Sequence, residues 1–207
     1  MGEEIIQNKE LLILEAAERE FITKGYDGAR TTSIAKEAGV THAMLHYYFR
    51  TKEHLFERII DKKMSEITPL LTYLFGNDKL PITERIKEAV SVHFDFIVAN
   101  PDLPKFLINE VLPNKERFKV FKSKIDSVLH SVEQLQKEVN EAALRGEVAQ
   151  FNIIHLFQTI LSLNIFSSAM PLLVENMLGE NNFSSKDFLA ARKAENIETI
   201  MRRIKKL

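Results

Sequence analysis

Apolar residues recur at helical spacing along most of the chain. In the first segment Ile13, Ala17 and Phe21 lie four residues apart with acidic residues between them, a pattern typical of an amphipathic helix. Glycines and prolines interrupt this spacing at residues 25–28, 39, 76–81, 100–101, 113, 146 and 179. Runs that alternate polar and apolar residues, as strands require, are nearly absent. The pattern therefore predicts an all-α fold of about nine helical segments.

A long segment at residues 115–145 has apolar residues spaced alternately by three and four. This heptad spacing fits a coiled coil, and it also fits a long antiparallel helix inside a bundle. We favour the bundle helix, because a single seam of this length suits packing within one domain.

The last part of the chain carries more apolar surface than one small bundle needs. Residues 151–178 are apolar on nearly every side, which predicts a buried helix, and the polar residues that interrupt them argue against a membrane span. A final amphipathic helix is expected at about residues 185–205. The apolar excess of these two helices predicts a subunit interface.

The most informative run is TTSIAKEAGVTHAMLHYYFRTKEHLF at residues 31–56. Ala35 is small enough to let two helices approach closely, and Gly39 stands where a tight turn favours a positive φ. The residues expected to be buried between the helices are Ile34, Ala38, Val40, Leu45 and Phe49. This spacing predicts a helix-turn-helix whose second helix, about residues 42–48, fits the major groove of DNA.

The positions that follow the turn supply the candidate DNA contacts. Early residues of the second helix would point towards base edges, and these are Thr41, His42, Ala43, Met44 and His46. Tyr47 and Tyr48 offer hydroxyls, and Arg50 and Lys52 offer positive charge for phosphates. Thr51 is placed to cap the next helix.

Charge is unevenly distributed in a chain whose formal net charge is only -1. Residues 1–28 carry three basic residues against seven acidic ones, whereas residues 30–52 carry four basic residues against Glu37 alone. Because phosphate binding depends on local positive charge, the basic stretch coincides with the predicted helix-turn-helix.

Composition excludes several other functions. The chain has no cysteine, which removes disulfides and thiolate chemistry and favours a cytoplasmic location, and no export signal is visible at the N-terminus. Neither a phosphate-binding glycine loop nor a catalytic serine motif is present, so we expect no enzyme activity and no cofactor. His42 and His46 have the spacing of a metal-binding pair, with His54 as a conceivable third ligand, but the motif of a zinc protease is missing and we expect no metal.

The stretches AAEREFITKGYDGARTTSIAKEAGV and LHYYFRTKEHLF resemble the N-terminal domain of the TetR family of transcriptional regulators. The resemblance implies a three-helix DNA-binding domain at residues 1–52 and a helical-bundle domain for effector binding and dimerisation at residues 53–207. It also places Arg30, Thr31 and Thr32 near phosphates and gives phosphate contacts to Tyr47, Tyr48 and Lys52. Many members have tyrosine where His46 stands and histidine where Tyr48 stands.

For the remainder of the chain the resemblance implies a small-molecule effector, and the many phenylalanines favour a hydrophobic or amphipathic one. Polar residues at or near apolar stripes are the candidates for contacting it, namely His93, Asn109, His130, His155 and Asn164. The expected function is a dimeric repressor that binds a double-stranded operator with two half-sites and is released by its effector. The alternative is a ligand-binding helical protein that acts through protein contacts without binding an operator.

Overall fold

The computed structural model describes residues 2–76, 80–169 and 186–206, and within this part of the chain nine α-helices and no strand are present. The all-α prediction and its approximate number of helices are confirmed. The helices are α1 (Gly2–Gly28), α2 (Thr31–Glu37), α3 (His42–Phe49), α4 (Lys52–Gly76), α5 (Ile82–Ala99), α6 (Leu103–Phe106), α7 (Lys115–Leu144), α8 (Ile153–Ala169) and α9 (Lys186–Ile204). A π-helical turn, Leu107–Val111, directly follows α6. The predicted helical residues 170–178 lie outside the described residues.

The chain forms two compact units. The first unit comprises Met1–Glu66 and Lys105–Lys124, and the second comprises Ile67–Pro104 and Ile125–Leu207. By compactness, therefore, residues 53–66 and 105–124 group with the N-terminal helices. The functional division expected after residue 52 stays a prediction. Among the described residues, no helix combines the length and the apolarity that crossing a membrane requires.

The first unit is built on the predicted apolar stripe of α1. Ile13, Ala17 and Phe21 are fully buried, and α1 packs on α2, which packs on α3. The ring of Phe21 meets Phe56 of α4 edge to face at 5.0 Å between centroids, a favourable aromatic geometry. The first helix of the motif, α2, therefore packs against α1, whose apolar residues are buried.

The second unit packs α5, α8 and α9 against one another. Its core also contains the C-terminal half of the α7 seam, where Leu135, Val139 and Ala142 are buried. Because these seam residues lie inside the core of their own unit, the structure favours the bundle helix over the coiled coil. The Arg85 side chain, only 2% exposed, is paired with Glu138 at 2.6 Å, which satisfies a charge that would otherwise be costly to bury.

A chain of hydrogen bonds crosses this core and joins three polar side chains, His93, Asn164 and Asn196. The Asn164 Nδ2 donates to the Val90 carbonyl at 3.0 Å and to His93 Nδ1 at 2.9 Å, and Asn196 Nδ2 donates to Asn164 Oδ1 at 2.9 Å. A carbonyl can only accept, so the orientation of both amides is fixed. His93 Nδ1 must then be unprotonated, while Asn196 Oδ1 is a buried acceptor that has no hydrogen-bond partner among the described residues.

Burial lowers the pKa of His93 from 6.5 to about 4, so the folded protein holds this ring neutral where the unfolded chain protonates it. The stability contributed by neutral His93 is therefore complete above about pH 6.5 and is lost as the pH falls towards 4. Between about pH 7 and about pH 5 we expect the native protein to lose on the order of 1–2 kcal/mol more unfolding free energy than His93→Gln. Urea unfolding across this range measures the difference, with the exposed His155→Gln as control. Parallel pH profiles for native protein and His93→Gln would contradict the assignment.

Candidate nucleic-acid interface

The N-terminus of α2 is fixed by a carboxylate from α1. Glu20 is buried, and its Oε1 accepts from the backbone N–H of Arg30 at 3.2 Å while Lys24 Nζ donates to both carboxylate oxygens at 2.8 Å. Burial alone would raise the pKa of Glu20, but these hydrogen bonds outweigh it and lower the pKa. Arg30 itself provides no side-chain cap, so Glu20 supplies the negative group that a helix N-terminus favours.

The turn between α2 and α3 requires glycine for its backbone conformation. Gly39 has φ +66, and a Cβ at this position would meet nothing within 4 Å. The requirement is therefore conformational and not steric. Val40 N–H donates to the Ala35 carbonyl at 3.0 Å. Of the residues predicted to be buried between the helices, Val40 is only half-buried, and the other four are buried, namely Ile34, Ala38, Leu45 and Phe49. The predicted helix-turn-helix spacing matches the observed one.

The second motif helix, α3, turns its buried side inward through Leu45 and Phe49 and leaves its other side open. Thr41 caps it, because its Oγ1 accepts from Met44 N–H at 3.2 Å. Thr31 and His42, both predicted DNA contacts, are hydrogen-bonded to each other at 2.9 Å between Oγ1 and Nε2. The Tyr47 side chain is 82% exposed, which is unusual for so large a ring.

Strain is concentrated where α3 ends. Arg50 has φ 55 and ψ -52 and is the one non-glycine residue with positive φ among the described residues. Two imidazoles hold the carbonyls of this turn: His46 Nδ1 donates to the Arg50 carbonyl at 2.9 Å, and His54 Nδ1 donates to the Phe49 carbonyl at 3.2 Å. Thr51 caps α4 as predicted, its Oγ1 accepting from His54 N–H at 3.0 Å.

The predicted DNA residues come together on one unit. Exposed among them are Arg30, Thr32, Thr41, His42, Ala43, His46 and Tyr47, and half-buried are Thr31, Met44, Tyr48 and Lys52. Lys52 Nζ lies over the Tyr26 ring, 4.5 Å from its centroid. Their contact with DNA stays a prediction. The sequence missed Glu20 and His54 as residues that shape this surface, since neither spacing nor composition signals a capping partner ten residues away or a ring bonded to the preceding turn.

The ion pairs of the first unit leave the predicted interface positively charged. The acidic residue of the basic stretch, Glu37, is neutralised by Arg19 of α1 at 2.6 Å. Within the described residues, no ion pair is formed by Arg30, Lys36, Arg50 or Lys52. Unpaired cations on one surface are what phosphate binding needs.

The metal alternative finds no support in the geometry. His42 and His46 lie edge to face at 4.4 Å between ring centroids, but His46 and His54 direct their Nδ1 atoms to backbone carbonyls. Among the described residues, no group of three or more potential ligands is placed to hold a metal ion.

The residues predicted to contact the effector do not all lie together in the structure. His93 and Asn164 belong to the buried hydrogen-bonded chain of the second unit, while His155 on α8 and Asn109 in the π-helical turn are exposed. The side chain of His130 lies outside the described residues. Asn196 is the member of the buried chain that the sequence missed, because it stands among charged residues of α9 that favour an exposed face.

Relief of the strain at Arg50 is directly testable. We expect Arg50→Gly to be more stable than Arg50→Ala by about 1 kcal/mol, because both remove the charge but only glycine accepts φ 55 without strain. Urea unfolding of the two variants measures this difference. Equal stabilities, or a more stable alanine variant, would show that the backbone is relaxed there.

The part of the chain that matches a known family includes the candidate DNA-binding surface. Residues 13–59 match the family model described as bacterial regulatory proteins, tetR family. The HTH-type transcriptional regulator YdgC of Bacillus subtilis, itself uncharacterized, is 31% identical over 102 residues, which is 47% of this chain and 52% of YdgC. The chain thus spans about half the length of the curated relatives it matches.

Two solved structures share the fold over nearly the whole chain. The transcriptional regulator FadR from Bacillus subtilis, solved in complex with stearoyl-CoA, aligns over 94% of this chain and 98% of its own, with a TM-score of 0.66 and 19% identity. The hemolysin II transcriptional regulator HlyIIR aligns over 97% and 99%, with a TM-score of 0.66 and 23% identity. At these identities the likeness concerns the fold. The match to the tetR family of bacterial regulatory proteins covers residues 13–59, and over the rest of the chain the likeness to these two regulators is one of fold.

Proposed function

We propose that the protein is a sequence-specific DNA-binding transcriptional regulator that inserts α3 into the major groove. The observation that carries the proposal is the open side of α3, where Thr41, His42, Ala43 and Tyr47 are exposed on a helix whose other side is locked into the core. Rigidly held helices with exposed early residues are suited to reading base edges. The reading positions are Thr41 to Met44 and His46.

Phosphates on either side of the groove would be met by residues at helix ends. Arg30, Thr31 and Thr32 lie at the N-terminus of α2, where a guanidinium and two hydroxyls are available to contact phosphate oxygens. Tyr47, Tyr48 and Lys52 lie at the end of α3 and the start of α4. These contacts fix the register of α3 without reading sequence.

Dimerisation is proposed through α8 and α9. On α8 the large side chains of Ile154, Phe157 and Phe166 are 61%, 37% and 59% exposed, and exposed apolar surface of this kind is typical of a subunit interface. A second copy of the chain would cover it with the same face, as two-fold dimers do. Two recognition helices would then read two half-sites of one operator about one DNA turn, or a multiple, apart.

The proposed effector is hydrophobic or amphipathic and binds in the second unit. The polar chain of His93, Asn164 and Asn196 offers the few directed hydrogen-bonding groups that a mostly apolar site needs. Asn196 Oδ1, which has no partner within the part of the chain that the structure describes, is the proposed acceptor for a donor group of the ligand. We propose repression that is relieved when the effector shifts the spacing of the recognition helices, with α4 as the carrier of the change.

Binding to fragmented genomic DNA, followed by footprinting of the retained fragments, tests the function. Protected half-sites at a regular spacing are the expected result. If the protein retains no DNA fragment above background, the alternative function is favoured, namely a ligand-binding protein that acts through protein contacts without binding an operator.

Two variants separate phosphate binding from base reading. Lys52→Ala should lower the slope of log K against log salt by about 0.9, because one counterion-releasing contact is lost. Met44→Ala should leave the slope unchanged and alter the preference among operator variants, because it removes an apolar contact to base edges. Fluorescence anisotropy at several salt concentrations measures both. An unchanged slope for Lys52→Ala would remove Lys52 from the interface.

Stearoyl-CoA, the ligand in the B. subtilis FadR structure, is a suitable probe for the effector site. At one hundred times its dissociation constant a ligand raises stability by about 2.7 kcal/mol. We expect stearoyl-CoA to raise the melting midpoint of the native protein and of the exposed control Asn140→Leu, but not of Asn164→Leu, which breaks the polar chain. Equal shifts in all three proteins would place the site elsewhere.

A further inference from the structure

Four charged residues surround the ring of Tyr26 in the first unit. Two are cations: the Arg117 guanidinium carbon lies 3.7 Å from the ring centroid and Lys52 Nζ lies 4.5 Å from it. The other two are Glu53 of α4 and Glu110 of the π-helical turn. We call Tyr26, Lys52, Glu53, Glu110 and Arg117 the Tyr26 cluster. It brings together α1, the start of α4, the π-helical turn and the start of α7.

The position of Glu110 depends on Gly25. Gly25 has φ 69 and ψ 174 within α1, which only glycine adopts readily. A Cβ at this position would lie 2.6 Å from Glu110 Oε1. Because Gly25 has no side chain, the Glu110 carboxylate can approach the backbone, and its Oε2 accepts from Tyr26 N–H at 2.9 Å. Glu110 is presented by a π-helical turn, and such turns occur often at functional sites.

Arg117 is held in place from both sides. Asn114 caps α7, because its Oδ1 accepts from Arg117 N–H at 3.0 Å. This hydrogen bond fixes the backbone from which the Arg117 side chain extends. The side chain then lies 3.5 Å from Glu53 Oε1 and 3.6 Å from Glu110 Oε2, and it also covers the ring of Phe56 at 4.7 Å. Arg117 thus engages both carboxylates of the cluster at once.

Lys52 is left without an acidic partner by this arrangement. Within the described residues it forms no ion pair, and its ammonium rests on the electron-rich face of Tyr26. A cation held over a ring keeps its charge accessible, because the ring supplies no formal counter-charge. Burial, and after it a hydrogen bond to Glu53, raise the pKa of Tyr26 to about 12, so the ring stays neutral at physiological pH.

We propose that Arg117 is a positioning residue for DNA binding: it occupies Glu53 and Glu110 and so keeps Lys52 unpaired on Tyr26 and free to meet a phosphate. The inference rests on the proposed function of the first unit as a DNA-binding unit. Without the guanidinium, Glu53 and Glu110 lose the cation that they share, and their carboxylates compete for the Lys52 ammonium. An ion pair with a carboxylate is favoured over a contact with a neutral ring, and Lys52 would then release no counterion from DNA.

The test measures binding of a random-sequence DNA duplex as a function of salt, since phosphate contacts are independent of sequence. Arg117→Met should reduce the log–log salt slope by about 0.9, as Lys52→Met does. The double variant Lys52→Met/Arg117→Met should show the same reduction and no more, because both changes remove one contact. Arg145→Met is the matched control, since Arg145 pairs only with Glu147 in the second unit among the described residues, and its slope should equal that of the native protein.

A rescue experiment separates positioning from a structural role. In the triple variant Arg117→Met/Glu53→Gln/Glu110→Gln no carboxylate remains to capture Lys52, while both amides keep an acceptor oxygen. The salt slope should return to the native value. An unchanged slope in Arg117→Met overturns the proposal. So does a reduction that adds to that of Lys52→Met or persists in the triple variant, because Arg117 would then contact DNA itself or merely support the fold.

A readout without DNA keeps the inference separate from the proposed function. The Tyr26 ring current should shift the Lys52 ε-methylene NMR signal upfield in the native protein, a signal that Lys52→Arg identifies. This shift should disappear in Arg117→Met and return in the triple variant. If the native protein binds no DNA but the shift behaves in this way, the proposed function fails and the positioning of Lys52 stands. A shift unaffected by Arg117→Met overturns the inference whatever the DNA result.

Discussion

The geometry of the candidate interface depends on how the ends of two very short helices are satisfied. Helices of seven and eight residues, such as α2 and α3, are unstable alone because nucleation costs more than so few hydrogen bonds return. Each end here is met by a specific group. Glu20 meets the start of α2, Thr41 meets the start of α3, and the rings of His46 and His54 hold the carbonyls at its end. These local bonds, together with the apolar support of α1, make α3 rigid enough to present a fixed surface.

The same ends explain why the interface tolerates strain. The turn at Arg50 joins the end of α3 to the start of α4 within two residues. The imidazole hydrogen bonds to Phe49 and Arg50 offset part of the cost of φ 55. His46 is therefore engaged through Nδ1 with its own helix end, and only its Nε2 is available to DNA.

Much of this fold could be predicted from the sequence because its signals are local. The four-residue spacing of Ile13, Ala17 and Phe21 fixes the buried side of α1, and Ala35 and Gly39 fix the motif turn. The contacts that could not be predicted join residues far apart in the chain. Glu110 lies 84 residues beyond Tyr26, and Asn196 lies 32 beyond Asn164. The periodicity of the sequence does not predict such pairs. A buried polar residue whose sequence neighbours are charged has the same pattern as an exposed residue.

Charge placement reconciles a nearly neutral chain with the proposed binding of DNA. In the first unit, acidic residues form ion pairs with cations outside the motif. Glu18 pairs with Lys62 and Lys63, and Glu20 pairs with Lys24. Arg19 in turn neutralises Glu37, the one acid inside the basic stretch. The Arg19–Glu37 pair is exposed and adds little stability, so its main consequence is electrostatic. Because each pair cancels locally, the remaining field of the motif comes from Arg30, Lys36, Arg50 and Lys52. A sequence count of net charge averages over these pairs, whereas a phosphate near α3 encounters only the cations that the pairs leave free.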